Sequence, residues 1–249
     1  MRIRTILAAA AAPAIAGASL LATTGAASAA VQQPAFSAYY YNPSGNALGG
    51  PQPVGTVGTA SGVHVSLDGG YLAKVTEKMN NANLNGQWIT ITGHLDQGTA
   101  VTYQHPDQYA PPASTARVYF EGSGSGVSDG SPDGYEGQHW WANGEASFDL
   151  NKQGTTEFTL TIRATPDSGW SDWNGQSANG SPSMGALFTG AASHVRALGL
   201  SFGGGWFFEN GVTGTNTPGP DGLIIDSITI SSQAPVSSPA PASSPAQAG

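Results

Sequence analysis

Cysteine is absent from the 249-residue chain, which excludes disulfide bonds and cysteine nucleophiles. Charged residues are scarce, at 10% of the chain, where about a quarter is usual. Basic residues are the rarer kind, with eight Lys and Arg against 16 Asp and Glu. An acidic chain lacks the positive surface that nucleic acids and anionic lipids require, so we expect neither as a partner.

Strong helical patterns are also lacking. Glycine and proline number 35 and 17, a composition that suits short strands joined by tight turns. Only two segments suggest helix: the one from Tyr71 is either a short helix or an irregular strand, and the one from Leu187 is a single turn. The sequence therefore predicts an all-β fold.

The first 29 residues have the pattern of a signal peptide. A basic start is followed by an alanine-rich apolar stretch and by Ala27-Ser28-Ala29, the small-x-small pattern before a cleavage site. A membrane anchor would need about 20 uninterrupted apolar residues, and Pro13 interrupts this stretch. We expect a secreted, extracellular protein without membrane insertion, whose mature chain begins at Ala30 with a short leader over residues 30–35.

The other end of the chain differs in composition. Residues 231–249 contain Ser, Ala, Pro and few other residue types, with no aromatic or charged side chain. Such a segment is expected to be a disordered tail, which serves as a linker or envelope spacer or has no function. Between the leader and the tail, residues 36–230 are predicted to form one domain, and we expect a monomer.

Apolar and polar residues alternate along several segments of this domain. One apolar face in and one polar face out is typical of antiparallel sheets packed as a β-sandwich. In the last strand, Ile224, Ile228 and Ile230 are predicted to share the inner face with Asp226. The other residues predicted to point inward are Val63, Val65, Leu67, Ile89, Ile91, Leu95, Ala116, Val118, Phe120, Phe158, Leu160, Ile162, Leu198, Leu200 and Phe202.

Three glycines, Gly203 to Gly205, separate the strand ending at Phe202 from the aromatic trio Trp206 to Phe208. Glycines weaken a strand but permit a bend or bulge. We interpret the triplet as an architectural bend at the edge of the sandwich. The alternative is a glycine floor that lets a ligand approach the backbone beside Trp206.

The segment "LFTGAASHVRALGLSFGGGWFFENGV", the final "LIIDSITI" and the loop "SGWSDWNG" together resemble the C-terminal half of secreted bacterial jelly-roll domains, including many carbohydrate-binding modules. The resemblance implies an antiparallel β-sandwich of jelly-roll (galactose-binding-like) type. It also implies that Asp226, in the last strand, helps to hold a structural calcium ion; the alternative is a carboxylate satisfied by backbone amides.

Calcium has a second candidate site. Asp129 and Asp133 lie in the acidic loop "SDGSPDGYEG", and calcium takes oxygen ligands from such loops. The spacing does not match an EF-hand, and a solvated acidic loop is the alternative.

Catalytic patterns are weak. No predicted strand has acidic residues at alternate positions, and Glu121 has no evident acidic partner in sequence, whereas glycosidases use two carboxyl groups. The letters "GSGSG" at Gly122 match a nucleophile elbow but lie in a loop rather than between a strand and a helix. The five histidines lack the short spacings of zinc sites.

Aromatic and polar positions suggest carbohydrate instead, because sugars stack on Trp and Tyr and bond to polar side chains. One candidate face combines two strands, provided that they share a sheet; the other is a cluster of loops and short strands. The ligand-binding candidates are Trp88, His94, Arg117, Tyr119 and Glu121 on the strands, and Tyr135, Trp141, Trp170 and Trp173 in the cluster.

These observations favour a secreted, non-catalytic β-sandwich that binds polysaccharide or cell-wall glycan. The alternative is a structural or interaction protein of the bacterial cell envelope, which the tail and the low charge density suit. A glycoside hydrolase or polysaccharide lyase is the third hypothesis, with Glu121 as its acid.

Overall fold

The computed structural model describes only part of the chain. The described residues are 36–41, 48–50, 52–53, 62–67, 70–96, 103–104, 114–122, 136–151, 157–203, 209, 211–214 and 222–235. The predicted signal peptide and leader, and the tail beyond residue 235, lie outside them, as do Gly204, Gly205 and the aromatic trio from Trp206.

Strands dominate the described residues. They are β1 (Phe36–Tyr41), β2 (Gln52–Pro53), β3 (Val63–Ser66), β4 (Tyr71–Ala82), β5 (Trp88–Asp96), β6 (Tyr103–Gln104), β7 (Thr115–Gly122), β8 (His139–Ala142), β9 (Ser147–Asp149), β10 (Glu157–Arg163), β11 (Trp170–Ser171), β12 (Val195–Gly203), β13 (Thr213–Gly214) and β14 (Gly222–Ser231). Within these described ranges, the helical elements are α1 (Pro182–Ala192) and three 3-10 turns, Glu136–Gln138, Gly144–Ala146 and Pro166–Ser168. The all-β prediction is confirmed.

Two main sheets are formed, and all pairings among the described strands are antiparallel. The larger sheet has eight strands in the order β11-β8-β7-β12-β4-β1-β2, with β9 also paired to β7. The smaller sheet has the order β10-β5-β14-β3. Strands β6 and β13 pair separately. No described helix is long and apolar enough to span a membrane.

The two main sheets contribute to one hydrophobic cluster, so the architecture is sandwich-like. Val75 and Leu198 enter it from the larger sheet, and Ile91 and Leu160 from the smaller one. All the inward-facing residues predicted for β3, β5, β7, β10 and β12 are buried. Burying these side chains supplies the main driving force for folding in a chain without disulfides.

The prediction for the last strand is confirmed only for Ile228, which packs against the core, because Ile230 is exposed. Leu223 and Ile225 are buried, whereas Ile224 is half-buried and Asp226 is exposed. The pairing of β14 with β5 shifts register between Ile225 and Ser227. This irregularity places an extra residue, Asp226, in the strand and reverses which side chains point inward.

The two segments with uncertain structure are now assigned. The segment from Tyr71 is the long strand β4, and the predicted single turn at Leu187 belongs to the 11-residue helix α1. Its cap is Ser181, whose Oγ accepts a hydrogen bond from the backbone N–H of Met184 at 3.2 Å, and Pro182 follows at the first position. Ser before Pro is a common helix start.

Helix α1 covers one end of the core. Phe188 on α1 makes edge-on contacts with Phe120 and Trp140, with ring centroids 5.6 Å and 5.0 Å apart. The helix also lies close to the end of β7. A side chain at Gly122, the last residue of β7, would collide with Ala191 of the helix, which explains why glycine occupies this position. The helix therefore fixes the end of β7 next to Glu121.

Candidate functional site

The outer face of the larger sheet carries a layer of polar and aromatic side chains. Strands β8, β7, β12 and β4 lie side by side, and their register aligns Trp141 with Tyr119, and His139 with Glu121. Gly199 of β12 separates Tyr119 from Thr76 of β4. These positions alternate with core residues, so their side chains all leave the sheet on the side away from the core.

At the centre of this face is a buried charge cluster, formed by Lys74, Glu121 and Glu209. Lys74 Nζ lies 2.7 Å from Glu121 Oε1 and 3.3 Å from Glu209 Oε1. The lysine side chain is 6% exposed and that of Glu209 only 2%. Charges this deeply buried are tolerated only when they are paired, and here one ammonium group serves two carboxylates.

Glycine at position 199 makes this arrangement possible. Lys74 is on β4 and Glu121 on β7, so the lysine must reach across β12, which lies between them. Gly199 has no side chain to obstruct it. A Cβ atom at Gly199 would also collide with the carbonyl oxygen of Val75 on β4. The position therefore requires glycine because the neighbouring backbone is close.

Glu121 is held in the charged form. Burial opposes its ionisation, but the charges of Lys74 and His139, together with hydrogen bonds from Lys74 and Tyr119, outweigh burial and lower its pKa to about 2. The hydroxyl of Tyr119 donates to Glu121 Oε1 at 2.7 Å, and Arg196 Nε donates to Oε2 at 3.1 Å. Both oxygens of Glu121 are thus satisfied.

Glu209 is in the opposite state. Burial raises its pKa to about 7, against the attraction of Lys74, and the negative charge of Glu121 raises it further. Its Oε2 is buried and has no hydrogen-bond partner within the described part of the chain. The two carboxylates differ because Glu121 has several donors, whereas Lys74 is the one donor to Glu209 among the described residues.

A row of rings lies beside the cluster. The ring centroid of Trp141 is 5.0 Å from that of Tyr119, 6.1 Å from that of His139 and 5.6 Å from that of Trp173. Trp141 is fixed further by its Nε1, which donates to Ser201 Oγ at 3.0 Å. Tyr119, His139 and Trp141 are buried, whereas Trp173 is 37% exposed. Trp173 is therefore the end of the row that is open to solvent.

Arg117 lies at the border of the same face. Its Nη1 donates to Asn143 Oδ1 at 3.1 Å, and Asn143 Nδ2 donates to Ser171 Oγ at 2.9 Å. Partial burial lowers the pKa of the guanidinium, which remains a cation because its ordinary value is far above neutral pH. The arginine links β7 to the edge strand β11.

The two strands of the predicted glycan face do not share a sheet. Arg117, Tyr119 and Glu121 are on β7 of the larger sheet, whereas Trp88 and His94 are on β5 of the smaller one. Ile89 and Ile91 of β5 are buried in the core, so the alternate residues of β5 point to the other outer face. The predicted set is divided between two surfaces.

The second predicted cluster is divided as well. Trp141 and Trp173 join the row on the larger sheet, but Trp170 is fully buried in the core. It packs against Phe120 at 5.0 Å, and its Nε1 donates to the carbonyl of Arg163 at 2.9 Å. Trp170 is therefore a core residue, which corrects its inclusion among exposed ligand-binding aromatics. Tyr135 lies outside the described residues.

The predicted calcium ligands are only partly described. Asp129 and Asp133 lie outside the described residues. Asp226 is on the surface, where its Oδ2 lies 3.1 Å from Nδ1 of His94. Among the residues that the structure describes, no three His, Asp or Glu side chains form a group that could hold a metal ion. Calcium binding stays a prediction.

The carboxylate pair gives a geometric argument about hydrolysis. Both carboxylates contact Lys74 Nζ, so their nearest oxygens are at most about 6 Å apart, a limit that includes the separation of about 5–5.5 Å between the carboxyl groups of retaining glycosidases. However, the space between two such carboxylates must hold a glycosidic bond, and here Lys74 occupies it. The cluster, in this arrangement, neutralises charge rather than aligning an acid and a nucleophile.

Several residues of this face were not among the predicted site residues. Lys74 is embedded in the apolar segment "YLAKV", and Glu209 follows the aromatic trio at a distance of 88 positions from Glu121. A lysine at a buried strand position is the one signal that the sequence offered, because such a charge needs a partner. The identity of its partners depends on strand order.

Comparison of the chain with protein-family models, with curated proteins and with solved structures finds no match.

Proposed function

We propose that the protein binds carbohydrate, without catalysing a reaction, and that Trp173 is the platform on which a sugar ring stacks. One observation carries the proposal: Trp173 is exposed yet packs against the buried Trp141, with the ring centroids 5.6 Å apart and the planes tilted by 51°. A ring that is already fixed loses little conformational freedom on binding. Sugars present C–H faces that suit such a surface.

Polar groups on the same face can bond to the hydroxyls of the sugar. Arg117 is half-buried at the border, and the side chain of Arg196 is 46% exposed next to Glu121. Arginine supplies several donors in a fixed plane. The proposed partner is a polysaccharide or cell-wall glycan outside the cell, and the proposed architecture is the jelly-roll type of sandwich.

A non-catalytic role agrees with the position of Lys74 between the two carboxylates. A hydrolase would need Glu121 and Glu209 on either side of the scissile bond, whereas both contact the same ammonium group. The charge cluster instead stiffens the sheet beneath the aromatic row. Binding energy would come from Trp173, at the exposed end of the row, and from the arginines at its border.

The test is a sedimentation assay of the full-length protein with insoluble cellulose, chitin, xylan, β-1,3-glucan and bacterial cell-wall sacculi. We expect saturable binding to at least one polymer, and we expect Trp173→Ala to weaken it about tenfold or more, as for other central aromatic contacts. Ile230→Ala is the matched control, since Ile230 is equally exposed at 38% but lies on β14 of the smaller sheet. The Ile230→Ala variant should bind the polymer as tightly as the wild type does.

Two results would count against the proposal. If folded protein binds none of the polymers, the structural or interaction role in the cell envelope becomes the better hypothesis. If Trp173→Ala and Ile230→Ala bind as tightly as the wild type, Trp173 is not the platform.

A further inference from the structure

A pocket of about 260 Å³ lies at the end of β5 and β10 in the smaller sheet. Its lining includes Trp88, Asn143, Thr161, Arg163 and Ser168. The antiparallel register of β5 and β10 places Trp88 directly beside Arg163. An aromatic ring and a guanidinium group therefore share one wall of the pocket.

The backbone around the pocket is fixed by hydrogen bonds. Arg163 Nε donates to the carbonyl of Gly86 at 3.1 Å, and the N–H of Gly86 donates to the carbonyl of Ala164 at 2.9 Å. The N–H of Ala164 donates in turn to the carbonyl of Gln87 at 2.8 Å. The Arg163 side chain and the backbone that leads into Trp88 are therefore positioned before any ligand arrives.

The lining has the chemistry of a sugar site. Trp88 offers a flat ring for C–H contacts, and the guanidinium of Arg163 has further N–H donors besides the Nε that bonds to Gly86. The hydroxyls of Thr161 and Ser168 keep acceptor capacity beside their bonds to Thr90 and Thr165. The volume lies just below the range of about 300–1,000 Å³ for pockets that enclose larger ligands. It therefore suits one sugar ring rather than a chain.

We propose that this pocket is a second, separate carbohydrate site, which takes a single sugar ring such as the terminal residue of a glycan. It goes beyond the proposed function, because its aromatic wall belongs to the smaller sheet and not to the row that ends at Trp173. With two sites, one molecule would hold a polymer surface and a chain end at the same time, which raises the overall affinity without new contacts at either site.

The experiment uses the full-length protein with ¹⁵N-labelled tryptophan and follows each indole N–H signal by nuclear magnetic resonance. The probes are glucose, galactose, xylose, N-acetylglucosamine and galacturonic acid, added one at a time. We expect at least one sugar to shift the Trp88 signal in a saturable manner and to leave the Trp173 signal unchanged.

Two variants locate the pocket. Trp88→Ala and Arg163→Gln should each weaken binding of the single sugar about tenfold or more, and Arg163→Gln keeps the test decisive if loss of the large ring impairs folding. Trp173→Ala is the control, and it should bind the single sugar normally while binding the polymer about tenfold or more weakly.

The results separate this inference from the proposed function. If no sugar shifts the Trp88 signal while the polymer still binds through Trp173, the second site is wrong and the proposed function stands. If the single sugar shifts Trp173 and its binding is lost in Trp173→Ala, there is one site and the inference is overturned. If the Trp88 pocket binds sugar but Trp173→Ala leaves polymer binding intact, the second site stands and Trp173 is not the platform.

Discussion

Lys74 lies 2.7 Å from Glu121 across an intervening strand, and its ammonium group is the cation that Glu121 and the buried Glu209 share. We expect Lys74→Met to destabilise the fold by about 3–5 kcal/mol, because it leaves carboxylates buried without their cation. The measurement is urea unfolding followed by circular dichroism.

Lys78→Met is the matched control for that change. Lys78 lies on the same face of β4, opposite Ala197 of β12, but it is exposed. An exposed surface change of this kind should alter stability by about 0.5 kcal/mol or less. Equal losses in the two variants would contradict a special role of the Lys74 cluster.

The raised pKa of Glu209 is expected to make the free energy of unfolding depend on pH near neutrality. Its pKa in the folded protein, about 7, is above its ordinary value of 4.5, so the folded state binds the proton more tightly than the unfolded state. Its contribution is complete below about pH 4.5 and is lost as pH rises through 7. The difference in pKa corresponds to roughly 3 kcal/mol.

The measurement is the free energy of unfolding between pH 4.5 and 8 for the wild type and Glu209→Gln. The fall in stability over this range should be smaller by roughly 3 kcal/mol in Glu209→Gln, because glutamine does not ionise. Glu157→Gln, a change at an exposed residue of β10, should keep the wild-type slope. Identical slopes in all three proteins would show that Glu209 is not the group responsible.

The strand faces were predictable because alternation is local. Residues of β5, β7 and β10 point inward as the period of two requires. The inward face of β14 was not predictable, because the extra residue Asp226 interrupts the alternation of inward and outward side chains. No local signal in "LIIDSITI" distinguishes a regular strand from an irregular one.

The candidate site was less predictable, because it depends on which strands become neighbours. Glu121 was named from its outward position, but its partner Lys74 is 47 residues away and the two meet across β12. Trp170 and Trp173 are three residues apart, yet one is fully buried and the other is exposed. The sequence shows two nearby tryptophans but not which one is buried. That depends on α1, whose Phe188 packs against Trp170.

Trp170 and Trp173 should therefore respond differently to truncation. Trp170→Ala removes a ring enclosed by Phe120 and Phe188, and cavities of this kind cost about 3–5 kcal/mol. Trp173→Ala removes an exposed ring and should cost less than about 1 kcal/mol. Thermal unfolding of both variants makes the comparison; a larger loss for Trp173 would contradict their assignment to core and surface.

Gly199 is expected to tolerate no side chain. A Cβ there would collide with the carbonyl oxygen of Val75, so Gly199→Ala must separate β12 from β4 beneath the charge cluster. We expect a loss of about 1–3 kcal/mol, as for other overpacked sites. Gly50→Ala is the control, because a Cβ at Gly50 has open space around it. A neutral Gly199→Ala in urea unfolding would contradict the close strand contact.

Calcium binding at Asp226 is testable through stability, because a ligand that binds only the folded state raises the free energy of unfolding. The increase is about 2.7 kcal/mol when the free ion exceeds its Kd by a hundredfold. If Asp226 is a ligand, the unfolding temperature of the wild type should be higher in calcium than in EDTA, and Asp226→Asn should remove the difference. Without calcium the same variant should cost less than about 1 kcal/mol, because its pair with His94 is exposed to solvent at 3.1 Å. Equal unfolding temperatures of the wild type in calcium and in EDTA would contradict the calcium prediction and leave Asp226 as a surface partner of His94.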